Sequence, residues 1–117
     1  MKTFTDFNQS KILAKLLPVE SADLYYLAKD DRGIEFFSNP SVKDGVCEDI
    51  DVPCWSLAAL LCVLPQTVRL VGTPKDSYWY CECVNANIQW YASVGNADNP
   101  VDVCYEMIVE LNKHNLI

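Results

Sequence analysis

Glycine is scarce in this chain, which has four residues, Gly33, Gly45, Gly72 and Gly95, each isolated. A phosphate-cradling loop or a nucleophile elbow needs several glycines within a few positions, so neither can be built, and nucleotide chemistry has no support. Histidine is scarcer still: His114 stands alone, which removes any paired-histidine metalloprotease site. Basic residues are few, 9 against 16 acidic ones, and the net charge of −7 repels phosphate backbones; no nucleic-acid partner is expected. Long apolar runs are missing too. The longest, Cys54 to Pro65, is interrupted by Ser56 and falls far short of the roughly 20 residues that cross a bilayer, so no membrane role is expected. The opening residues Met1 to Asp6 carry a lysine but no apolar stretch after it, unlike a secretory signal, and the expected location is the cytoplasm.

What is present is ordinary globular material. Apolar and aromatic residues make up 50% of the 117 and charged ones 21%, a balance unlike that of disordered chains, and the length suits a single domain over residues 1–117. A chain this size buries roughly two thirds of its unfolded surface without staples. The six cysteines, Cys47, Cys54, Cys62, Cys81, Cys83 and Cys104, are therefore read as free thiols, three of them in apolar-patterned segments. The charge is uneven: Glu20 to Asp51 holds nine acidic residues against Lys29, Arg32 and Lys43, so nearly all of the negative charge lies there. That leaves room for a DNA mimic or a partner with a basic patch.

Along the chain, Thr5 or Asp6 can cap a first helix over residues 7–17, with Ile12, Leu13, Leu16 and Leu17 inward and Lys11 and Lys15 wet. Residues 22–28 and 34–37 flank Lys29 to Gly33 and predict a hairpin; residues 38–51 read as the longest loop. Asp51 with Pro53 opens a second helix, ended by Pro65, that starts with Cys54 and Trp55 and is apolar nearly all round, which predicts the central, covered helix. A meander follows over 67–71, 77–84 and 87–94. A two-residue turn at Asn85 and Ala86 would pair Cys83 with Ile88, Cys81 with Trp90 and Trp79 with Ala92. That parity puts Trp79, Cys81, Cys83, Ile88, Trp90, Ala92 and Val94 on a core face, and Tyr78, Tyr80, Glu82, Gln89, Tyr91 and Ser93 on the other. Ala86 is poor chemistry for such a turn.

The last helix is the best punctuated. Asn99 caps it, Pro100 takes the first helical position, Asp102 complements the dipole, and Val101, Cys104, Ile108 and Leu111 form its apolar stripe. Asn115 can adopt a left-handed cap that folds Leu116 back on Leu111. Similar spacing in Leu13 to Pro18 and Leu60 to Pro65, each ending in Leu-Pro, hints at a two-fold α-β plan. The fold class expected is α+β, in the order α-β-β-α-β-β-β-α, an antiparallel sheet packed with three helices and anchored by Trp55, Trp79 and Trp90.

Three strings carry a resemblance: Gln9-Ser10 with Leu17-Pro18-Val19-Glu20-Ser21-Ala22-Asp23; Val52-Pro53-Cys54-Trp55-Ser56-Leu57-Ala58-Ala59-Leu60-Leu61 with Val63-Leu64-Pro65; and Asp98-Asn99-Pro100-Val101-Asp102. Together they resemble a group of small proteins encoded in phages and mobile elements of Bacteroidetes. The resemblance spans most of the chain and implies a bacterial cytoplasm and a phage or mobile-element origin. It implies no activity, because the shared strings are structural punctuation.

Candidate chemistry is thin. Cys54 in a helix first turn would have its thiolate favoured by the dipole, and Cys-Trp at a helix start superficially resembles papain-type proteases, but the required base could only be His114. Cys81 and Cys83 share a strand side, so a zinc site with Cys54, Cys62 or Cys104 is an alternative, although structural zinc ligands usually sit in loops or knuckles. Asp44, Glu48, Asp49 and Asp51 around Gly45 match no calcium loop. No cofactor is implied. The remaining feature is the outward sheet face: Tyr78, Tyr80 and Tyr91 beside Glu82 and Gln89 make the aromatic, weakly charged composition of protein contacts, unless a helix covers it. The reading favoured is a non-enzymatic interaction protein with an unidentified protein partner, homodimerisation through a sheet edge being open. The alternatives are a cysteine-dependent enzyme with Cys54 as nucleophile and a structural zinc domain.

Overall fold

The computed structural model describes residues 2–26, 40–42, 52–73, 78–85, 90–97 and 99–117. Asp6, not Thr5, caps the first helix: its carboxylate accepts from the Gln9 N–H at 2.8 Å while the Gln9 side chain accepts from the Asp6 N–H, a reciprocal capping box. Helix α1 runs only Phe7–Leu13, and turns carry the chain through Leu17. The inward stripe runs through Ser10, Leu13 and Leu17, which leaves Ile12 off it at 44% exposure, against expectation, and Lys11 and Lys15 wet.

After a 3₁₀ turn at Val19–Ser21 comes β1, Leu24–Tyr26. Its described partners are β2, Ser41–Val42, and β3, Val52–Cys54, in the antiparallel order β2-β1-β3. Strand β2 lies inside the stretch expected as loop; the expected hairpin arm 34–37 is outside the described residues, as is the acidic cluster Asp44, Glu48, Asp49 and Asp51.

Here the expectation for the second helix is corrected. Val52, Pro53 and Cys54 pair with Tyr26, Tyr25 and Leu24, so helix α2 begins later, over Leu57–Val63. Ser56 is its cap, accepting from the Ala59 N–H, and the Asp23 carboxylate holds both the backbone N–H and the hydroxyl of Ser56. Nor is α2 central: Ala58, Leu61 and Cys62 are exposed and only Ala59 and Leu60 are buried. Its described neighbours are α3 and the 3₁₀ turn, and the rest of its surface faces away from them.

The second sheet is the meander β4 (Val68–Thr73), β5 (Tyr78–Asn85) and β6 (Trp90–Ala97), in the order β4-β5-β6. The β5–β6 register departs from the two-residue turn. Cys83 pairs with Ala92, Cys81 with Val94 and Asn85 with Trp90, with a bulge between Trp79 and Tyr80 that sets Trp79 against Ala97. Alanine is disfavoured at the positive φ that the tight turn demands, and the pairing of Asn85 with Trp90 leaves four residues between the strands. Because the slide is four residues, parity survives: Cys81 and Cys83 are buried at 0% and 1%, and Trp79 packs against the core.

Helix α3, Pro100–Lys113, covers that side. The Asn99 side chain accepts from the Asp102 N–H at 2.9 Å, Val101, Cys104, Ile108 and Leu111 are fully buried, and Val103 and Met107 join them. Asn115 has φ 56°, and the Leu116 N–H returns to the Leu111 carbonyl at 2.9 Å, which docks Leu116 on the core. Contacts with all three strands of the second sheet and with α1 and α2 make α3 the central helix. The result is α+β, with three helices and two small antiparallel sheets among the described residues rather than one sheet.

Candidate functional site

The face of the second sheet turned away from α3 is built by β4 and β5. Period-two alternation puts Tyr78, Tyr80 and Glu82 of β5 opposite Thr73, Val71 and Arg69 of β4. Tyr78 is 44% exposed, and its ring lies 6.0 Å from that of Tyr80 at a 60° tilt. The Arg69 guanidinium is tied to the Glu82 carboxylate across the strands, which leaves the patch aromatic and nearly neutral in a strongly acidic chain. Of the other expected members, Tyr91 is set by the backbone register opposite Val84, two pairs along from Glu82 in the same parity, and Gln89 lies outside the described residues. Arg69 was not foreseen, because its partner is thirteen residues away on another strand.

Alternation along β5 puts Trp79, between the two tyrosines, on the inner side of the sheet. Trp79 lies flat across Gly72, its cross-strand neighbour, so closely that a Cβ there would run into the indole ring. Absence of a side chain at Gly72 is what lets a large ring pack against the core from an outer pair of the ladder.

Of the cysteines, Cys54 is the one the structure moves from its expected place. Cys54 ends β3, two residues before the helix cap, so the first-turn position that would favour its thiolate is not occupied. Its sulfur is fully buried, 3.3 Å from the Thr5 carbonyl oxygen and 3.5 Å from Thr5 Oγ1. Burial pushes the thiol up, outweighing the opposing effect of the nearby Thr5, Ser10 and Tyr26 hydroxyls. His114 is exposed at the end of α3, 3.2 Å from Glu110 Oε1. The two are thus set in separate surroundings, one sealed and one wet.

Cys81 and Cys104 face each other across the β5–α3 interface with sulfurs 3.9 Å apart, and their mutual hydrogen bond, with burial, pushes the Cys104 thiol up. Cys83 contacts Thr67 Oγ1 at 3.5 Å. Among the described residues no three His, Cys, Asp or Glu side chains converge as a metal-binding group.

Two polar clusters were not foreseen from the sequence. Thr5 Oγ1 meets Ser10 Oγ at 2.8 Å and accepts from the Trp55 N–H at 3.2 Å, while the Tyr26 hydroxyl donates to the Thr5 carbonyl at 2.8 Å. Lys2 Nζ donates to Gln9 and Asp102 at 2.8 Å and to Asp6 at 3.1 Å, fastening the N-terminal segment to the start of α3. The Asp6-x-x-Gln9 spacing was the legible signal for part of the second cluster. A shallow recess of about 270 Å³ runs along α3 beside Tyr105, Glu106, Val109, Glu110 and Lys113, its carboxylates and ammonium spread along one helix. No helix among the described residues is long and apolar enough to cross a membrane. No family model matches the chain, and neither a curated protein nor a solved structure is significantly similar to it.

Proposed function

We propose that this is a non-enzymatic interaction protein of a bacterial cytoplasm, a modulator of phage or mobile-element origin that offers the outer sheet face to another protein. The supporting observation is the exposed Tyr78 ring beside Tyr80 on the side of the sheet opposite α3, next to an internally neutralised Arg69–Glu82 pair. Tyrosine presents a large stiff surface at small entropic cost and carries a hydroxyl that can be satisfied at a contact or in water, which is why it is enriched at interfaces. Tyr91, Glu82 and Gln89 belong to the same surface in this reading. A net charge of −7 turns the protein away from nucleic acid and toward partners with basic rims.

The test is affinity capture from the native host with the wild type and with Tyr78→Ala/Tyr80→Ala side by side, followed by direct titration of whatever the wild type retains specifically. Loss of at least about tenfold in affinity, with an unchanged circular dichroism spectrum, supports the face as a binding site. Equal affinity of the two proteins for every retained partner removes it.

A further inference from the structure

Strand β4 is the outer strand of β4-β5-β6, so β5 engages one of its hydrogen-bonding edges and leaves the other. In an antiparallel pair the N–H and C=O of one residue point the same way, alternately toward the neighbouring strand and away from it. Val68 fixes the phase, because its N–H donates to the Pro65 carbonyl at 3.0 Å and not to β5. Val68, Leu70 and Gly72 therefore turn their backbone groups outward, and Arg69, Val71 and Thr73 bond β5. Among the described residues no backbone group meets the outward N–H and C=O of Leu70 and Gly72. Proteins ordinarily guard such an edge with proline, with an unpaired charge in the strand, or with a covering element. Val68–Thr73 has no proline, and its one charge, Arg69, is already tied to Glu82 on the tyrosine face.

We propose that a second copy of this chain adds to this edge, antiparallel, about a two-fold axis at Val71, joining two three-stranded sheets into one. The register follows from the inventory of free groups. Centring on Val71 sets Leu70 against Gly72 of the second copy and uses every outward N–H and C=O of both residues. Centring on Leu70 leaves the Gly72 carbonyl without a donor, since the facing Val68 N–H is committed to Pro65. Centring on Arg69 needs that same committed N–H twice. The charges also fit. None of the 16 acidic residues lies on β4, so this is a line along which two chains of −7 approach without aligning carboxylates. Arg69 falls opposite Thr73 of the second copy, and the two guanidinium-bearing positions stand about 13 Å apart along the edge, beyond the screening length of roughly 8 to 10 Å. Val71 meets its own copy at a non-hydrogen-bonded position, where side chains come closest.

Sedimentation velocity on the full chain is expected to show a reversible dimer at concentrations up to about 200 µM, a weak self-association. Val71→Lys, on the outer side of the sheet, brings two like charges together at the axis and is expected to raise the dimer Kd about tenfold. Register is read separately by oxidising Cys62→Ser/Val71→Cys with glutathione disulfide: it crosslinks between copies, whereas Cys62→Ser/Arg69→Cys, which faces Thr73, does not. A wild-type protein that stays monomeric over that range overturns the proposal, and so does a dimer in which Val71→Cys crosslinks no faster than Arg69→Cys. If Val71→Lys fails to fold, the crosslinking pair decides alone.

Discussion

Replacing Thr5 by valine is the most discriminating perturbation of the fold, because it keeps the shape of a fully buried side chain and deletes only its hydroxyl. That hydroxyl accepts from the Trp55 N–H at 3.2 Å and meets Ser10 Oγ at 2.8 Å, so its loss strands a backbone donor in a residue with 0% exposure. Leaving one buried polar group unmade costs about 1–3 kcal/mol. Ser10 Oγ loses the same partner, and as a helix hydroxyl it can turn to a carbonyl of its own helix, so its share of the cost is the smaller one. The expected destabilisation is about 2–4 kcal/mol, a large share of the roughly 5–15 kcal/mol that holds a domain together. At about 4 °C per kcal/mol for a chain of this length, Tm falls by roughly 8–16 °C. Thr5→Ser keeps the hydroxyl and removes one methyl, which costs about 1 kcal/mol. Urea unfolding followed by tryptophan fluorescence measures both. A valine variant within about 0.5 kcal/mol of wild type, or a serine variant worse than the valine one, would show that hydrogen bonding does not hold this corner.

Two further outcomes follow from the electrostatics and burial. Burial alone would raise the Asp102 carboxyl, but hydrogen bonds from Lys2, Gln9 and Asn99 and the Lys2 charge outweigh it and hold the group below the ordinary carboxylate range. A carboxyl depressed on folding adds stability above its unfolded value and loses it as pH falls through the folded one. The stability gap between wild type and Asp102→Asn should therefore be full at neutral pH and close on acidification below about pH 4, measured as urea midpoints; a pH-independent gap contradicts it. Under native conditions iodoacetamide should modify exposed Cys62 at least about a hundredfold faster than buried Cys54, whose thiol is pushed up, and peptide mass analysis over time reads the ratio. Comparable rates would restore Cys54 as a nucleophile candidate.

The features legible in the sequence are those set by local chemistry. Asn99, Pro100 and Asn115 punctuate α3 within their own turns, and its apolar stripe needs only the helical period, so start, inner face and end are all recoverable. Parity along β5 is equally local: Cys81 and Cys83 inward, Tyr78 and Tyr80 outward, whichever residues of β6 they meet. Register is different in kind, since it depends on a turn whose length Ala86 does not dictate, and a slide of four residues preserves faces while changing every partner. The start of α2 was misplaced for a nonlocal reason. Asp51 and Ser56 are both acceptable caps, and the choice is made by β1, which takes Val52–Cys54 into a sheet, and by Asp23, which steadies Ser56. That choice places Cys54 at the end of a strand in a buried polar corner, away from the helix terminus expected to favour its thiolate. Arg69 is not legible along β5 because its link to Glu82 crosses to another strand.

Among the described residues the order α-β-β-β occurs twice before α3, but the two sheets are wound differently, β2-β1-β3 and β4-β5-β6. Only the second is a simple meander, and it is the one that α3 covers on a single side. The tyrosine face and the open edge therefore belong to one surface, joined at the Val71–Tyr80 pair. If two copies meet at Val71, their Tyr80 positions lie three strand spacings apart, about 14 Å, on a continuous sheet. A partner with two sites would then be held by both faces, and avidity would add to affinity without any new contact. Substitution and dilution separate these effects. Tyr78→Ala/Tyr80→Ala removes contact area and leaves the edge intact, so it weakens capture while the dimer persists. Val71→Lys would also set a charge beside Tyr80, so the second copy is instead removed by diluting the wild type below its dimer Kd, where each unaltered face binds with its single-site affinity. A partner whose binding responds to the first change and is indifferent to the second engages one face at a time.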